Sequence, residues 1–411
     1  MNIFLVLVLV FYLGFYVFDS VIEWLNSRSV STQIPVEFQG VYDDEKYAKS
    51  QQYLKETTRF SFIKQTITMF IMIPFIMFGG FNSLDVFVRS FELSSLFTGV
   101  IYMLILLGGM MILSLPFSYY STFVIEQAYG FNKATKGVFW GDFIKSLFIS
   151  LLIGTPIIMA LLWFFESMGN GAWLVAWGFM VFVQLILVYI APSFIMPLFN
   201  KFEPLEDGEL KQKLEAYSLE HNFSFKGIYK MDGSKRSSKS NAYFTGFGNQ
   251  RRIVLFDTLI EKHSADELLA ILAHEMGHYK LRHIHKSLFI SIVTSGVMLY
   301  LLSLFLNNPL LAQAFGMEAV SIYTSLIFFG FLFQPIEAII GVLTHYMSRK
   351  HEFEADEFAV RTTNLPDAMI DGLKRLSVDN LSNLEPHWLK VWVDYTHPPV
   401  LQRIKAIRLL A

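Results

Sequence analysis

Seven stretches of this 411-residue chain are apolar enough and long enough to cross a bilayer, and any fold must accommodate them. They run roughly over residues 2–24, 61–82, 97–123, 146–167, 172–198, 287–307 and 320–346. A backbone with no water to bond must satisfy itself internally, so each stretch is predicted to be a helix. Composition agrees, with 53% hydrophobic residues, 17% charged residues and 41 phenylalanines. The first stretch lacks a basic leader and a small-residue cleavage site, and Asp19 and Glu23 follow, so it reads as an uncleaved helix.

Lysine and arginine in the connections orient the bundle. Residues 25–60 carry Arg28, Lys46, Lys49, Lys55 and Arg59, whereas 83–96 hold only Arg89. Residues 124–145 carry Lys133, Lys136 and Lys145, whereas 168–171 and 308–319 have neither type. The long connection 199–286 and the tail from 347 are rich in both. Basic and non-basic connections alternate, as an odd number of spans requires. The reading places the N-terminus outside or in a lumen, and both long polar segments in the cytoplasm, for a bacterial inner membrane or the endoplasmic reticulum.

Within the apolar stretches, or at their ends, lie Asp19, Glu23, Glu166, Gln184, Gln334, Glu337 and His345. A carboxylate at membrane depth is costly and turns to a partner or to water. Taken one by one, these residues read as interhelical hydrogen bonding; together they point to an internal aqueous space. Pro74, Pro116, Pro156, Pro192, Pro197 and Pro335 are predicted to kink or end their helices. The chain has no cysteine, so any metal must use His, Asp or Glu. A net charge of −2 argues against a nucleic-acid surface.

The connection 199–286 reads as a folded insert. Residues 204–222 suit an amphipathic helix, and strands are predicted over 227–231, 242–247 and 252–257, with turn signals at Asp232-Gly233 and Gly248-Asn249. The run Ser234 to Ser240 reads as a solvated loop. A helix is predicted from Ser264, capped as Ser-x-x-Glu with Glu267, to about His285. Beyond the last span, helices are predicted over 349–362, from Leu365-Pro366-Asp367 and from Pro398-Pro399.

That capped helix contains His274-Glu275-Met276-Gly277-His278. Two imidazoles four residues apart share a helical face and can grip one divalent ion, with the intervening glutamate beside whatever water that ion holds. Catalytic zinc takes three protein ligands and leaves a position for water, so a third is needed. The extended metzincin pattern is excluded, because positions 281 and 284 hold Leu281 and Ile284. His283 and His285 read as surface or helix-end histidines. The better third ligand lies across two spans, in Glu352-Phe353-Glu354-Ala355-Asp356. Glu352 and Asp356 are one turn apart, so Glu352 can reach a metal while Asp356 takes the far N–H of a ligand histidine. Glu354 and Glu357 are expected to face solvent; alone, the cluster would be a polar helix face.

HEMGH and EFEAD in a seven-span chain resemble the Ste24 (CAAX prenyl protease 1) group of the M48 metallopeptidases. The resemblance runs almost end to end. Val36-Glu37-Phe38-Gln39-Gly40 with Tyr47-Ala48-Lys49-Ser50 is similar to the family's first cytoplasmic loop, and Tyr129-Gly130-Phe131-Asn132 to its second. Asn241-Ala242-Tyr243-Phe244-Thr245-Gly246-Phe247 matches its N-A-Y-F-x-G-F strand, and His397-Pro398-Pro399 with Arg403 its C-terminal block.

The resemblance implies a mainly α, polytopic fold of about seven transmembrane helices enclosing a chamber, with a cytoplasmic α+β zincin-like catalytic domain. The expected division is 1–198, an N-terminal membrane region; 199–286, a catalytic insert; 287–346, two further spans; and 347–411, a C-terminal catalytic segment. His274, His278 and Glu352 would bind one Zn²⁺ per chain, with Asp356 behind a ligand histidine and Glu275 as general base. Asn241 and His397 would serve catalysis, and Asn241, Ala242, Tyr243, Phe244 and Arg403 would bind substrate. The implied activity is hydrolysis near the C-terminus of a peptide or protein, prenylated or otherwise membrane-associated. Competing readings are an HtpX-like quality-control protease and a non-enzymatic multi-pass transporter or scaffold.

Overall fold

The computed structural model describes residues 2–31, 33–223, 225–245 and 251–411. Six helices come first: α1 (Ile3–Arg28), α2 (Asp44–Met77), α3 (Gly80–Arg89), α4 (Ser95–Tyr120), α5 (Lys136–Ser167) and α6 (Ala172–Ile190). The insert then runs β1 (Phe202–Pro204), α7 (Glu209–Glu220), β2 (Gly227–Met231), β3 (Ala242–Thr245), β4 (Arg252–Phe256), α8 (Asp257–Lys262) and α9 (Ala265–Lys280). After it come α10 (His283–Phe305), α11 (Pro309–Ala314), α12 (Ile322–Thr363), α13 (Pro366–Asp379), α14 (Trp388–Asp394) and α15 (Val400–Arg408). Among the described residues, seven helical stretches are long and apolar enough to cross a membrane, matching the seven expected.

Two expected boundaries moved, and both moves shape the site. The helix predicted to reach His285 stops at Lys280, because Arg282 adopts a left-handed conformation with φ 59° and α10 restarts at His283. Conversely, the last span and the helix predicted over 349–362 form one 42-residue rod, α12, with no break at 346. Its length is about 63 Å at 1.5 Å per residue, so one helix runs from the far membrane surface into the polar domain. It ends at Asn364, itself left-handed with φ 54°. Pro192 and Pro197 behave as expected: α6 gives way there to a π turn over Ala191–Ile195 and a 3₁₀ turn over Met196–Leu198.

The sheet has the order β1-β2-β4-β3, with β2 and β4 parallel and both outer pairs antiparallel. Among the described residues, β3 therefore forms an edge. The expected strand over 242–247 is seen over Ala242–Thr245; Gly246, Phe247 and the Gly248-Asn249 turn signal lie outside the described residues. One sheet face packs Ile228, Ile253 and Leu255 against Leu259, Leu268 and Leu272, which seats α9 on the sheet.

Membrane connections dock on this domain from one side. Phe38, Tyr42 and Tyr47 pack into a core with Met369, Ile370 and Leu373 of α13 and Ile404 and Ile407 of α15. Glu37 adds a bidentate pair with Arg408 at 2.6 and 2.7 Å. The run Ser234 to Ser240 is a tether rather than a solvated loop. Arg236 donates twice to Asp142, at 2.7 and 3.0 Å, and once to Asn200 at 3.0 Å, while Lys239 pairs with Glu126 at 3.0 Å. A planar guanidinium between two membrane-helix ends fixes position as well as charge.

Where α5 ends and α4 begins, Glu166 accepts from Ser95 at 2.7 Å, and within the spans Gln184 donates to Ser291 at 3.0 Å. Glu337 instead lines a cavity of about 440 Å³ between α10 and α12, with Ser291, Thr294, Ser295 and His351 around it.

Candidate metal centre

The geometry begins with a cap and a glycine. The Ser264 side chain accepts from the Glu267 amide, starting α9 where the sequence predicts. Behind the histidines, Ala273 and Met276 of α9 face Ala359 of α12 in a buried cluster. Gly277 lets the helices close: a Cβ there would stand 3.1 Å from the Ala355 Cα. Small residues at the crossing bring the two backbones together. Asp356, one residue from Ala355, and Glu352, about one turn before it, are thereby carried up to His274 and His278.

His274 Nε2 and His278 Nε2 lie 3.1 Å apart. Glu352 Oε2 is 3.5 Å from the first and Glu352 Oε1 is 3.2 Å from the second. One ligand atom from each residue falls within 4.8 Å of the others. Donors at three corners of a tetrahedron with bonds of about 2.0–2.1 Å would be spaced by about 3.3 Å. The donor set, two imidazoles and a carboxylate, thus fits a zinc-type ion. Its electrostatics fit as well. Burial works against charge on His274, but Asp356 and Glu352 outweigh it and push the imidazole up to about 9. Two buried carboxylates favour positive charge between these rings, which a divalent cation supplies.

Behind His274, Asp356 Oδ1 takes the Nδ1–H at 2.8 Å, the tautomer lock expected from the sequence. Asp356 is 1% exposed and receives Arg403 through Nε at 2.8 Å and Nη2 at 2.6 Å. Arg403 Nη1 also lies 3.3 Å from Glu352 Oε2. Arg403, expected among the substrate contacts, sets its buried guanidinium against these two carboxylates. Glu275 sits between the histidines, and burial raises its carboxyl above the usual range although His274 and His278 oppose this.

His397 projects into the open cleft with Nε2 3.4 Å from Glu352 Oε1, while Thr396 Oγ1 lies 2.9 Å from its Nδ1. Asn241, just ahead of β3, is exposed, and its side chain accepts from the adjacent Ala242 amide at 2.9 Å. Along β3, Ala242 is buried and the Tyr243 hydroxyl reaches the sulfurs of Met196 and Met231. Phe244 packs on Phe223 and Tyr279.

Two expectations fail beside the centre. His283 is buried, not a surface histidine: its ring stacks on His351 at 4.0 Å, and its Nδ1 lies 3.1 Å from His278 Nδ1. Glu354 turns to His283 Nε2 at 2.9 Å rather than to solvent. Helical periodicity hides both contacts, because they depend on the left-handed Arg282. His285 and Glu357 are less buried, as expected, and Glu357 pairs with Arg361 at 2.8 Å.

Comparison with known proteins identifies the family. Residues 23–201 match the family model described as CAAX prenyl protease N-terminal, five membrane helices, and residues 204–411 match peptidase family M48. The CAAX prenyl protease 1 homolog of Arabidopsis thaliana is 34% identical over 407 residues, covering 97% of this chain and 96% of its own. The Homo sapiens homolog is 32% identical, covering 92% and 89%, and the Saccharomyces cerevisiae CAAX prenyl protease 1 is 33% identical, covering 95% and 92%. The crystal structure of S. mikatae Ste24p superposes with a TM-score of 0.94 at 30% identity over 99% of each chain. Sequence, fold and site together show that the chain belongs to peptidase family M48, in its CAAX prenyl protease 1 group, and is an integral-membrane zinc metalloprotease.

Proposed function

We propose that this protease holds one Zn²⁺ per chain through His274, His278 and Glu352, and cuts near the C-terminus of a membrane-associated, prenylated peptide. The observation that carries the reading is the convergence of three donors from α9 and α12, with 3.1 to 3.5 Å between neighbouring ligand atoms. When bound, zinc polarises the scissile carbonyl and acidifies the attacking water. Glu275 removes a proton from that water at its carboxylate and returns it to the leaving amine. A carboxylate in this place can take the proton as a base and give it back as an acid. His397, open to the cleft, donates Nε2–H to the developing oxyanion, and Asn241 holds substrate backbone. A donor of this kind contributes about 2.7–4 kcal/mol of transition-state stabilisation.

The edge position of β3 supports a substrate that pairs as an added strand along Ala242, Tyr243 and Phe244. Arg403 acts by holding Asp356 and Glu352 rather than by touching substrate. The cytoplasmic orientation rests on the basic connections 25–60 and 124–145, whose residues pack against the catalytic elements. The prenylated class rests on kinship with the named relatives.

The test uses purified full-length protein, zinc analysis, and a farnesylated C-a-a-X peptide beside its unmodified form and an unfolded membrane protein. Mass spectrometry locates each cut. Glu275→Gln is expected to keep about one zinc per chain and lose cleavage. Full activity in that variant would remove Glu275 from its role, and cleavage of the unfolded protein alone would favour the quality-control reading.

A further inference from the structure

We propose that His283 and Glu354 are positioning residues for His278, forming a two-link chain that fixes its tautomer and aims Nε2 at the metal. The inference rests on the ligand assignment above and extends it. The argument is a proton count. A histidine that binds metal through Nε2 carries its one proton on Nδ1. His278 Nδ1 faces His283 Nδ1 at 3.1 Å, so the His283 nitrogen must accept. The His283 proton is then on Nε2, which lies 2.9 Å from Glu354 Oε2, an acceptor. Each contact has one donor and one acceptor only in this arrangement.

The backbone is built for it. Five residues along an unbroken helix would put positions 278 and 283 about 140° apart, facing away from each other. The left-handed Arg282, with φ 59°, turns α10 so that the two rings meet. An L-residue adopts that conformation only at an energetic cost. His351 stacks flat on His283, 4.0 Å away and 9° from parallel, and fixes its plane. The same stacking argues against a second ion here. His283, His351 and Glu354 do offer three donor atoms within 4.8 Å, but the in-plane lone pairs of two parallel rings cannot converge on one point. Lys350, 3.7 Å from Glu354 Oε1, leaves Oε2 to His283.

The experiment measures zinc affinity of the full-length protein by chelator competition, together with the visible spectrum of the Co²⁺-substituted form. His283→Phe keeps a ring on His351 but removes both nitrogens, and is expected to weaken binding about 10–100-fold. Glu354→Ala, at a side chain 34% exposed and so safe for folding, is expected to weaken it about tenfold and to shift the Co²⁺ bands. Glu354→Gln, whose carbonyl still accepts the N–H, is expected to bind within about threefold of wild type. Glu357→Ala, on the same helix, is expected to change nothing. Wild-type affinity and spectrum in both His283→Phe and Glu354→Ala would overturn the chain, and so would equal losses in Glu354→Gln and Glu354→Ala. His278→Ala separates the two levels: if it still binds zinc as tightly as wild type, the ligand assignment itself falls.

Discussion

His274 and His278 sit one turn apart on the same helix, yet the structure supports them in opposite ways. His274 is backed directly by Asp356, which is 1% exposed and doubly bonded to Arg403. His278 is more open, with a side chain 20% exposed, and behind its Nδ1 the carboxylate of Glu354 is reached through the ring of His283. The first support comes from distant chain, α12 and α15, locked in the interior. The second also draws its carboxylate, Glu354, from α12, but reaches it only because the local backbone turn at Arg282 brings His283 into line. Burial gives the inner support strength, because its charges have no water to turn to; the outer one keeps a histidine near the cleft where substrate must enter.

The comparison can be broken at its strong side first. Asp356→Ala leaves the buried Arg403 with Glu352 in place of two carboxylates and frees His274, so a loss of about 3 kcal/mol in stability is expected, with loss of bound zinc. Unfolding of the metal-free protein in detergent checks this; a loss below about 1 kcal/mol would mean the pair is not a dominant support. Gly277→Val attacks what both histidines share. A branched side chain 3.1 Å from the Ala355 Cα must push α12 away, costing about 1–3 kcal/mol and carrying Glu352 out of reach. Zinc content and melting should fall together. Smallest is Arg282→Val, which puts a β-branched residue at φ 59° and is expected to cost about 1 kcal/mol more than Arg282→Gly. If Gly and Val behave alike, the left-handed turn is not what sets His283 against His278.

What could be read beforehand follows the same division. The seven spans, the cap at Ser264 and the His274–His278 pair depend on periodicity and local chemistry, so they were legible. Glu352 with Asp356 became legible because two acidic residues one turn apart complement a histidine pair in need of a partner. Arg403 was recognised from its motif, but its pairing with Asp356 was not legible, since nothing local says that α15 buries it there. His283 and Glu354 were misread for a sharper reason. A regular helix puts His283 on the wrong side, and the Arg282 turn that corrects this carries neither glycine nor proline as a signal. The Ser234 to Ser240 run likewise looks solvated until Asp142 and Glu126 arrive from other helices. Rods α12 and α9 meeting at Gly277 explain why a membrane span can deliver a carboxylate to a polar domain.

The central claim is that α9 and α12 jointly build one metal centre. Elemental analysis of purified wild type and Glu352→Ala, matched for helical content by circular dichroism, tests it directly. About one zinc per wild-type chain is expected, falling to less than about a tenth in the variant. A Glu352→Ala protein that retains a full zinc equivalent would contradict the account, because the third ligand would then lie elsewhere.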